Sequence, residues 1–296
     1  MQVQTMRKMR AEEARTAYLA LLPSILILVT FKLYPLAQSL IMSFYDWPLI
    51  GDARQFVGLA NYRKLFSDPD FILSLKNTTT YAIGAVTIGP ALSLFLAVLL
   101  NRHLRLKELY RTAYFMPVVT SMVAVSVVWV WIYDPNYGPL NAFLEKLGVS
   151  GPAWLADPRW AMPAMIILAV WRNVGYDMVI FLAGLQDIPA EHYEAAEIDG
   201  ANSWQKFIKI TVPMLRTVIG FVLIMGTIRS FQVFGQIYVM TMGGPMNATL
   251  VTVYYLYRQA FEFFRLGYAC SAAWVLFVII LTLTVIQNKV VGRESY

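Results

Sequence analysis

The stretch QDIPAEHYEAAEIDGANSWQKFIKITVP, residues 186–213, is a polar run between two apolar blocks and reads as two short helices lying at a membrane surface. Pro189 suits a first helical position, where a missing N–H costs nothing because a helix start leaves it unpaired anyway. Glu191 and Glu194 suit the half of the helix nearest its positive dipole end, and Gly200 suits a C-terminal stop. Asn202 can then cap a second helix, with Gln205 three residues on in the manner of a capping box, until Pro213 interrupts the pattern. In that second helix Trp204, Phe207, Ile208 and Thr211 share a face opposite Gln205, Lys206 and Lys209, a shape suited to docking. The acids Glu191, Glu194, Glu197 and Asp199 argue against anionic lipid as what it docks on.

On both sides of this stretch the chain is built for a bilayer. Hydrophobic residues make up 58% of its 296 residues and charged ones 14%, against roughly 45–50% apolar in soluble domains, and mean hydropathy is +0.55. Apolar blocks at 17–44, 78–100, 112–133, 160–185, 214–240 and 266–287 are each long enough for a hydrocarbon core of about 30 Å. The expected fold is all-α and polytopic, with six transmembrane helices: a segment 1–16, a membrane domain 17–287 that contains the loop 186–213, and a tail 288–296. Arg7, Lys8, Arg10 and Arg15 ahead of the first block resemble a signal sequence, but the apolar run continues past Phe31 without a small-residue cleavage site, so it reads as a retained span. Prolines 23, 35, 90, 117 and 163 lie in or near spans and permit kinks. Residues 45–76, rich in turn formers and acids, and 134–159, with Asp-Pro, Gly-Pro and Asp-Pro breaks, read as loops rather than extra domains. No internal repeat is evident, which speaks against a single-chain carrier built from inverted repeats.

With the N-terminus in the cytoplasm, the inner segments hold more Lys and Arg than the outer ones although they are shorter in total. The positive-inside rule then puts both termini inside. Arg102, Arg105, Lys107 and Arg111 in the inner loop 101–111 supply the strongest part of that signal. The basic balance does not suggest nucleic acid, since no basic run is interleaved with aromatic residues.

Within the quoted loop, Glu194-Ala195-Ala196, Gly200, Ile210 and Pro213 stand at the spacing Glu-Ala-Ala, three residues, Gly, nine residues, Ile-x-Leu-Pro, with Val212 in place of the leucine. This resembles the inner-loop signature of the permease subunits of binding-protein-dependent ATP-binding-cassette importers. The resemblance extends through Leu185-Gln186-x-Ile188-Pro189, Asp199-Gly200-Ala201, Thr241-x-Gly243-Gly244-Pro245 and Gly267-Tyr268-Ala269. It is with the sugar and glycerol-phosphate branch, similar to the maltose system's larger membrane subunit without its large external insertion. It implies a bacterial plasma (inner) membrane location and a coupling helix seated in a cleft of an ATPase. It also implies a heterodimer with a second permease subunit, two ATPase subunits and an extracytoplasmic solute-binding protein, with alternating access as the mechanism. Small Ala195 and Ala196 suit close approach of a partner, Gly200 a turn of the chain, and Glu194 a charge-assisted hydrogen bond.

An ionisable residue inside a span is costly and is by default a functional candidate or half of an internal pair. Lys32 reads as a snorkelling residue of the first span. The fourth span gathers Trp171, Arg172, Asn173, Tyr176 and Asp177, and the fifth carries Arg229, Gln232 and Gln236 beside Phe231 and Phe234. Amide and guanidinium groups suit sugar hydroxyls and aromatic rings suit the apolar ring faces, so Arg172, Asn173, Tyr176, Asp177, Arg229, Phe231, Gln232 and Gln236 are candidates for a solute pathway. The resemblance agrees, since the sugar contacts of that larger subunit come from the spans just before and after the inner loop. Two alternatives stay open: Arg172 or Arg229 could pair with Asp177 to hold helices together, and an arginine could favour a phosphate-bearing solute.

His103 and His192 both fall in inner loops, and no metal centre or catalytic residue is expected. No Gly-x-x-x-x-Gly-Lys-Ser/Thr phosphate loop occurs, so the chain is not expected to be an enzyme or to need a cofactor of its own, and ATP would be used by partner subunits. A membrane-embedded enzyme would need clustered acids or histidines, and a proton-coupled carrier would have to rely on Asp177 alone. Cys270 is the single cysteine, which excludes an intrachain disulfide. The topology can be checked by single-cysteine labelling in a chain whose Cys270 is replaced: cysteines at positions 105 and 194 should resist an impermeant thiol reagent in intact cells. Labelling of either from outside would reverse the orientation.

Overall fold

A computed structural model describes the backbone of residues 2–51, 54–101 and 106–292, and side chains within these from residue 15 to residue 291. The side chains of Arg7, Lys8 and Arg10, all of Arg102, His103 and Arg105, and the last four residues of the tail lie outside the described residues. Among those described, five helices are long and apolar enough to cross a membrane: Arg15–Ser43, Pro69–Leu100, Pro158–Gln186, Arg216–Met240 and Leu266–Val291. A sixth span is counted when the bent pair Lys107–Val119 and Met122–Ile132 is taken together. The chain divides into two compact units, residues 1–65 with 259–274 and residues 66–258 with 275–296.

In the first unit, the helix Arg15–Ser43 buries none of its most apolar window against the chain. It runs through Pro35 because a wide π-turn, Val29–Leu33, precedes it: the Tyr34 N–H reaches back to the Val29 carbonyl. One extra residue in the turn gives room beside the proline ring, which would otherwise meet the carbonyl four residues earlier. A short antiparallel ribbon follows, Tyr45–Asp46 paired with Gln55–Phe56. Asn61 Nδ2 ties it down by donating to the carbonyls of Ser43 and Tyr45, both at 2.9 Å. Gly267 donates to the Trp47 carbonyl at 2.9 Å, and a β-carbon there would run into the carbonyl of Tyr45. The Gly267-Tyr268-Ala269 motif is thus a point of backbone-to-backbone contact.

Several segments read as loop punctuation turn out to be helix starts, at Ala60 in the first unit and elsewhere in the second. Residues 45–76 hold a helix Ala60–Phe66, and the second span begins at Pro69, nine residues before the expected 78. Asp68 caps it, accepting from the N–H groups of Asp70 and Phe71 at 2.9 and 3.4 Å, with Pro69 in the first turn. Asp157 and Pro158 start the fourth span in the same way, and Gly138 and Pro139 start the short helix Pro139–Lys146. A proline's fixed φ fits the first helical turn, where its missing N–H is not needed.

The expected third span, 112–133, is broken rather than straight. Its two halves meet at Thr120 and Ser121 and are bent by 100°. Pro117 removes a donor just ahead of the break, and Thr120 and Ser121 are extended, with ψ of 144° and 130°. The apolar run passes through both residues unchanged, so hydropathy cannot see the bend. The fifth span is interrupted too, at residues 232–234 between Arg216–Phe231 and Gly235–Met240.

The second, fourth and fifth spans meet in a cluster of Ala97, Leu100, Met178, Phe181, Leu182, Leu185, Leu215 and Val222. In lipid such contacts gain little from leaving solvent, because the tails are as apolar as leucine; close packing and interhelical hydrogen bonds hold the helices instead. Ser93 Oγ is one such bond, donating to the Val174 carbonyl at 3.0 Å. The closest approach is at Gly175, where a β-carbon would overlap the backbone carbonyl of Tyr114. Gly175→Val should therefore destabilise the protein by about 3 kcal/mol, the upper end for overpacking, read as a lowered thermal midpoint of the solubilised protein. Gly226→Ala should not, since the nearest neighbour of an added β-carbon is Val86 Cγ2 at 3.7 Å.

Candidate functional site

The loop 186–213 forms the two expected helices, Ala190–Ile198 and one that begins at Ser203. Pro189 takes the cap position, with ψ of 134°, one residue earlier than its expected place. The first helix stops at Gly200, whose φ is +78°. The Ala201 N–H returns to the Ala196 carbonyl at 2.8 Å and the Gly200 N–H to the Glu197 carbonyl at 3.0 Å, the double closure of a Schellman stop. The second helix opens with a complete capping box: Asn202 Oδ1 accepts from the Gln205 N–H at 2.9 Å, and Gln205 Oε1 from the Asn202 N–H at 2.8 Å. Lys206 pairs with Glu197 across the turn, and the Tyr193 hydroxyl meets Thr211 Oγ1 at 2.9 Å, so the two helices are fastened to each other both at the turn and away from it.

Pro213 does not end that helix as expected. A π-turn, Phe207–Thr211, precedes it and carries the backbone through to Met214. The expected division of faces is not the one formed. Lys206 and Phe207 are half-buried and Thr211 is buried, while Trp204 and Ile208 stay exposed with Gln205 and Lys209. Ile198 is 88% exposed and Trp204 70% exposed. With Glu191, Glu194 and Ala195 also exposed, the loop presents an apolar patch beside acids; Ala196 and Ile210 are half-buried and Pro213 is exposed. An exposed apolar patch with a polar rim marks an interaction surface.

The candidate pathway residues do not form one cluster. Arg229 Nη2 donates to Asp177 Oδ1 at 2.7 Å, joining the fifth span to the fourth, and the guanidinium lies 5.2 Å from the Tyr176 ring centre. Arg172 turns away from Asp177 to the broken third span, donating from Nη2 to the carbonyls of Val118 and Thr120 at 3.3 and 3.4 Å. Asn173 donates to the Ala169 carbonyl of its own helix at 2.8 Å. Gln236 is buried and donates to the Tyr81 hydroxyl at 3.0 Å and the Met165 carbonyl at 3.2 Å, and Phe231 is buried with Ala82 and Leu276. In this conformation neither is open to a solute. Gln232 is exposed at the interruption of the fifth span, and Lys32 is exposed in the first.

Asn173, Asp177 and Arg229 line one cleft with Tyr81, Gly89, Gly226 and Ser230, of about 50 Å³, room for roughly one or two waters. Tyr81 and Ser230 escaped the sequence reading, although a hydroxyl within an apolar span was the available signal. Also missed was a group of four rings, Phe234, Tyr238, Tyr254 and Tyr257, with centroids 5.3 to 6.3 Å apart. Its members come from the fifth span and the helix Thr252–Tyr257, at the end of the fifth span remote from the loop 186–213.

Residues 89–294 match the family described as binding-protein-dependent transport system inner membrane component. The chain is 37% identical over 276 residues to the lactose transport system permease protein LacF of Rhizobium radiobacter, covering 91% of this chain and 92% of the relative. It is 34% identical over 280 residues to the sn-glycerol-3-phosphate transport system permease protein UgpA of Agrobacterium fabrum, covering 94% and 95%. Its fold is similar to that of a chain in the crystal structure of a bacterial ABC transporter involved in the import of the acidic polysaccharide alginate, with a TM-score of 0.86 at 24% identity and coverage of 98% and 100%. The chain belongs to the binding-protein-dependent transport system inner membrane components, and it is a permease subunit of an ATP-binding-cassette importer.

Proposed function

We propose that this permease forms half of the membrane pathway for a sugar or sugar-like solute and is driven by ATPase subunits that grip the loop 186–213. The observation that carries the reading is the built form of that loop: two helices closed by a glycine stop and a capping box, cross-fastened at both ends, with Ile198 and Trp204 left exposed. A rigid projecting elbow of this kind can pass a push to the spans on either side of it. The companions would be a second permease, two ATPases that consume the ATP, and an extracytoplasmic binding protein, with both termini and the loop on the cytoplasmic side. The lactose relative favours a sugar. A phosphate-bearing solute is the second reading, favoured by the sn-glycerol-3-phosphate relative. Tyr176, half-buried beside the polar cleft, and the exposed amide of Gln232 are the side chains best placed to meet the solute.

Uptake by the complete assembly in proteoliposomes tests the proposal. Gly200→Pro cannot adopt φ of +78°, and ~3 kcal/mol or more of strain at the turn should leave ATP hydrolysis no longer coupled to solute uptake, or prevent the ATPases from binding. A variant complex that assembles and transports at the normal rate would count decisively against the coupling role. Gln232→Ala should keep assembly intact, lower uptake roughly fivefold for the ~1 kcal/mol a hydrogen bond contributes, and change the ranking among related sugars. Uptake that falls only with the amount of complex, with ranking unchanged, would make Gln232 a packing residue.

A further inference from the structure

We infer that the loop 241–250 is a preformed docking tip for the extracytoplasmic binding protein, with the exposed side chains of Met242 and Met246 as its contacts. The inference rests on the assembly proposed above and gives its binding protein a place to land. Of the five non-glycine residues with positive φ among those described, three stand in this loop: Met242 at 48°, Met246 at 50° and Asn247 at 59°. Asparagine tolerates the left-handed region, whereas in methionine the β-carbon crowds the backbone there. The surrounding bonds hold the strain in place. Thr249 Oγ1 donates to the Gly244 carbonyl at 2.6 Å and meets Thr241 Oγ1 at 2.7 Å, and the Thr249 N–H reaches the Gly243 carbonyl at 3.1 Å. From the second span, Asn77 Nδ2 donates to the carbonyls of Asn247 and Leu250 at 2.9 and 3.1 Å. Thr249 and Leu250 are themselves buried. Backbone strain that persists because its surroundings over-determine it clusters where a protein binds or switches.

What this framework holds out is two apolar side chains. Met246 is 88% exposed and Met242 67%; among the described residues no large apolar side chain is more exposed than Met246, and only Ile198 in the loop 186–213 equals it. Those two loops lie at opposite ends of the fifth span. Irregular backbone does not face hydrocarbon, and residues 241–250 include no Trp, Tyr, Lys or Arg, the residues that anchor a segment among lipid headgroups. A protein surface is the better fit. Two methionines beside the polar Asn247 make a small contact, which suits a partner that docks and departs more than a permanent subunit. Methionine adapts its shape to the surface it meets, and a loop already rigid loses little further freedom when a partner seats on it. A β-carbon at Gly243 would stand 3.1 Å from the Tyr254 ring, so the tip rests directly on the four-ring group at the end of the fifth span.

The test is the Kd of the assembly's own purified binding protein for the complete assembly in nanodiscs. Met246→Gly suits the same φ and removes only the side chain; it should weaken binding about tenfold, which corresponds to about 1.4 kcal/mol, and Met242→Gly should act in the same direction. Met246→Leu, a swap that conserves volume, should stay within roughly twofold of the unsubstituted assembly. Glycine variants that bind as tightly as the unsubstituted assembly overturn the inference. In a second arm, a photoreactive benzophenone side chain is placed at position 246 and its adducts are identified by mass spectrometry. Adducts with the binding protein are expected. A sample without them, or with adducts only to the second permease or to lipid, overturns the inference even where the glycine variants fail to assemble. A binding protein that does not bind the unsubstituted assembly overturns the proposed assembly itself, so the two failures stay distinct.

Discussion

A peptide group in hydrocarbon has no water to bond with, and most departures from regular helix in this chain are arranged around that fact. Several prolines stand inside helices, and at two of them, Pro35 and Pro213, a π-turn precedes the ring, so the helix widens instead of breaking. At the elbow of the third span the break is real, and side chains take over. Thr120 Oγ1 donates to the Met116 carbonyl at 3.1 Å, and Arg172 reaches across from the fourth span to the carbonyls of Val118 and Thr120. Threonines 78, 79 and 80 donate back to carbonyls four residues earlier, which satisfies hydroxyls that lipid could not.

The same scarcity of water governs the charges. Asp177 and Arg229 sit on helices that lead directly into and out of the loop 186–213. With a rise of about 1.5 Å per residue, they lie roughly 14 to 20 Å from the loop ends of those helices. Their ion pair links the two spans at that depth, while Tyr193 and Thr211 link the two ends of the loop itself. The fourth span is further held to the first half of the third by the Gly175 contact and by Arg172. In the proposed cycle a displacement of the loop would reach the cleft around Tyr81 and Asn173 through rigid helices rather than through mobile side chains.

Close approach is the other recurring device. Gly175 and Gly267 each stand where a backbone carbonyl leaves no room for a β-carbon, so in both units glycine is placed by contact rather than by turn geometry. The Thr241-x-Gly243-Gly244-Pro245 segment is pinned differently. Thr249 bonds to Thr241 and to the Gly244 carbonyl, and Asn77 Nδ2 reaches the carbonyls of Asn247 and Leu250. The motif makes one ordered loop out of residues 241–250.

The sequence by itself determined the membrane class, the apolar segments and the punctuation of the loop 186–213, because each is a local property: length and hydropathy for the spans, a capping box at Asn202 and Gln205, a positive φ at Gly200. Even there, local reading misplaced what proline does. Asp68-Pro69 and Asp157-Pro158 are helix starts, and Pro213 is passed by a wide turn. Only the tertiary structure decided which intramembrane charges remain available. Arg172, Asp177 and Arg229 are equivalent candidates while their neighbours are unknown, and their partners lie 52 or more residues away along the chain. The bend of the third span and the burial of Phe231 and Gln236 were invisible for the same reason. A helix's hydropathy reports that it lies in the membrane, but which of its sides meets a carbonyl, a carboxylate or an open cleft depends on the helices packed beside it.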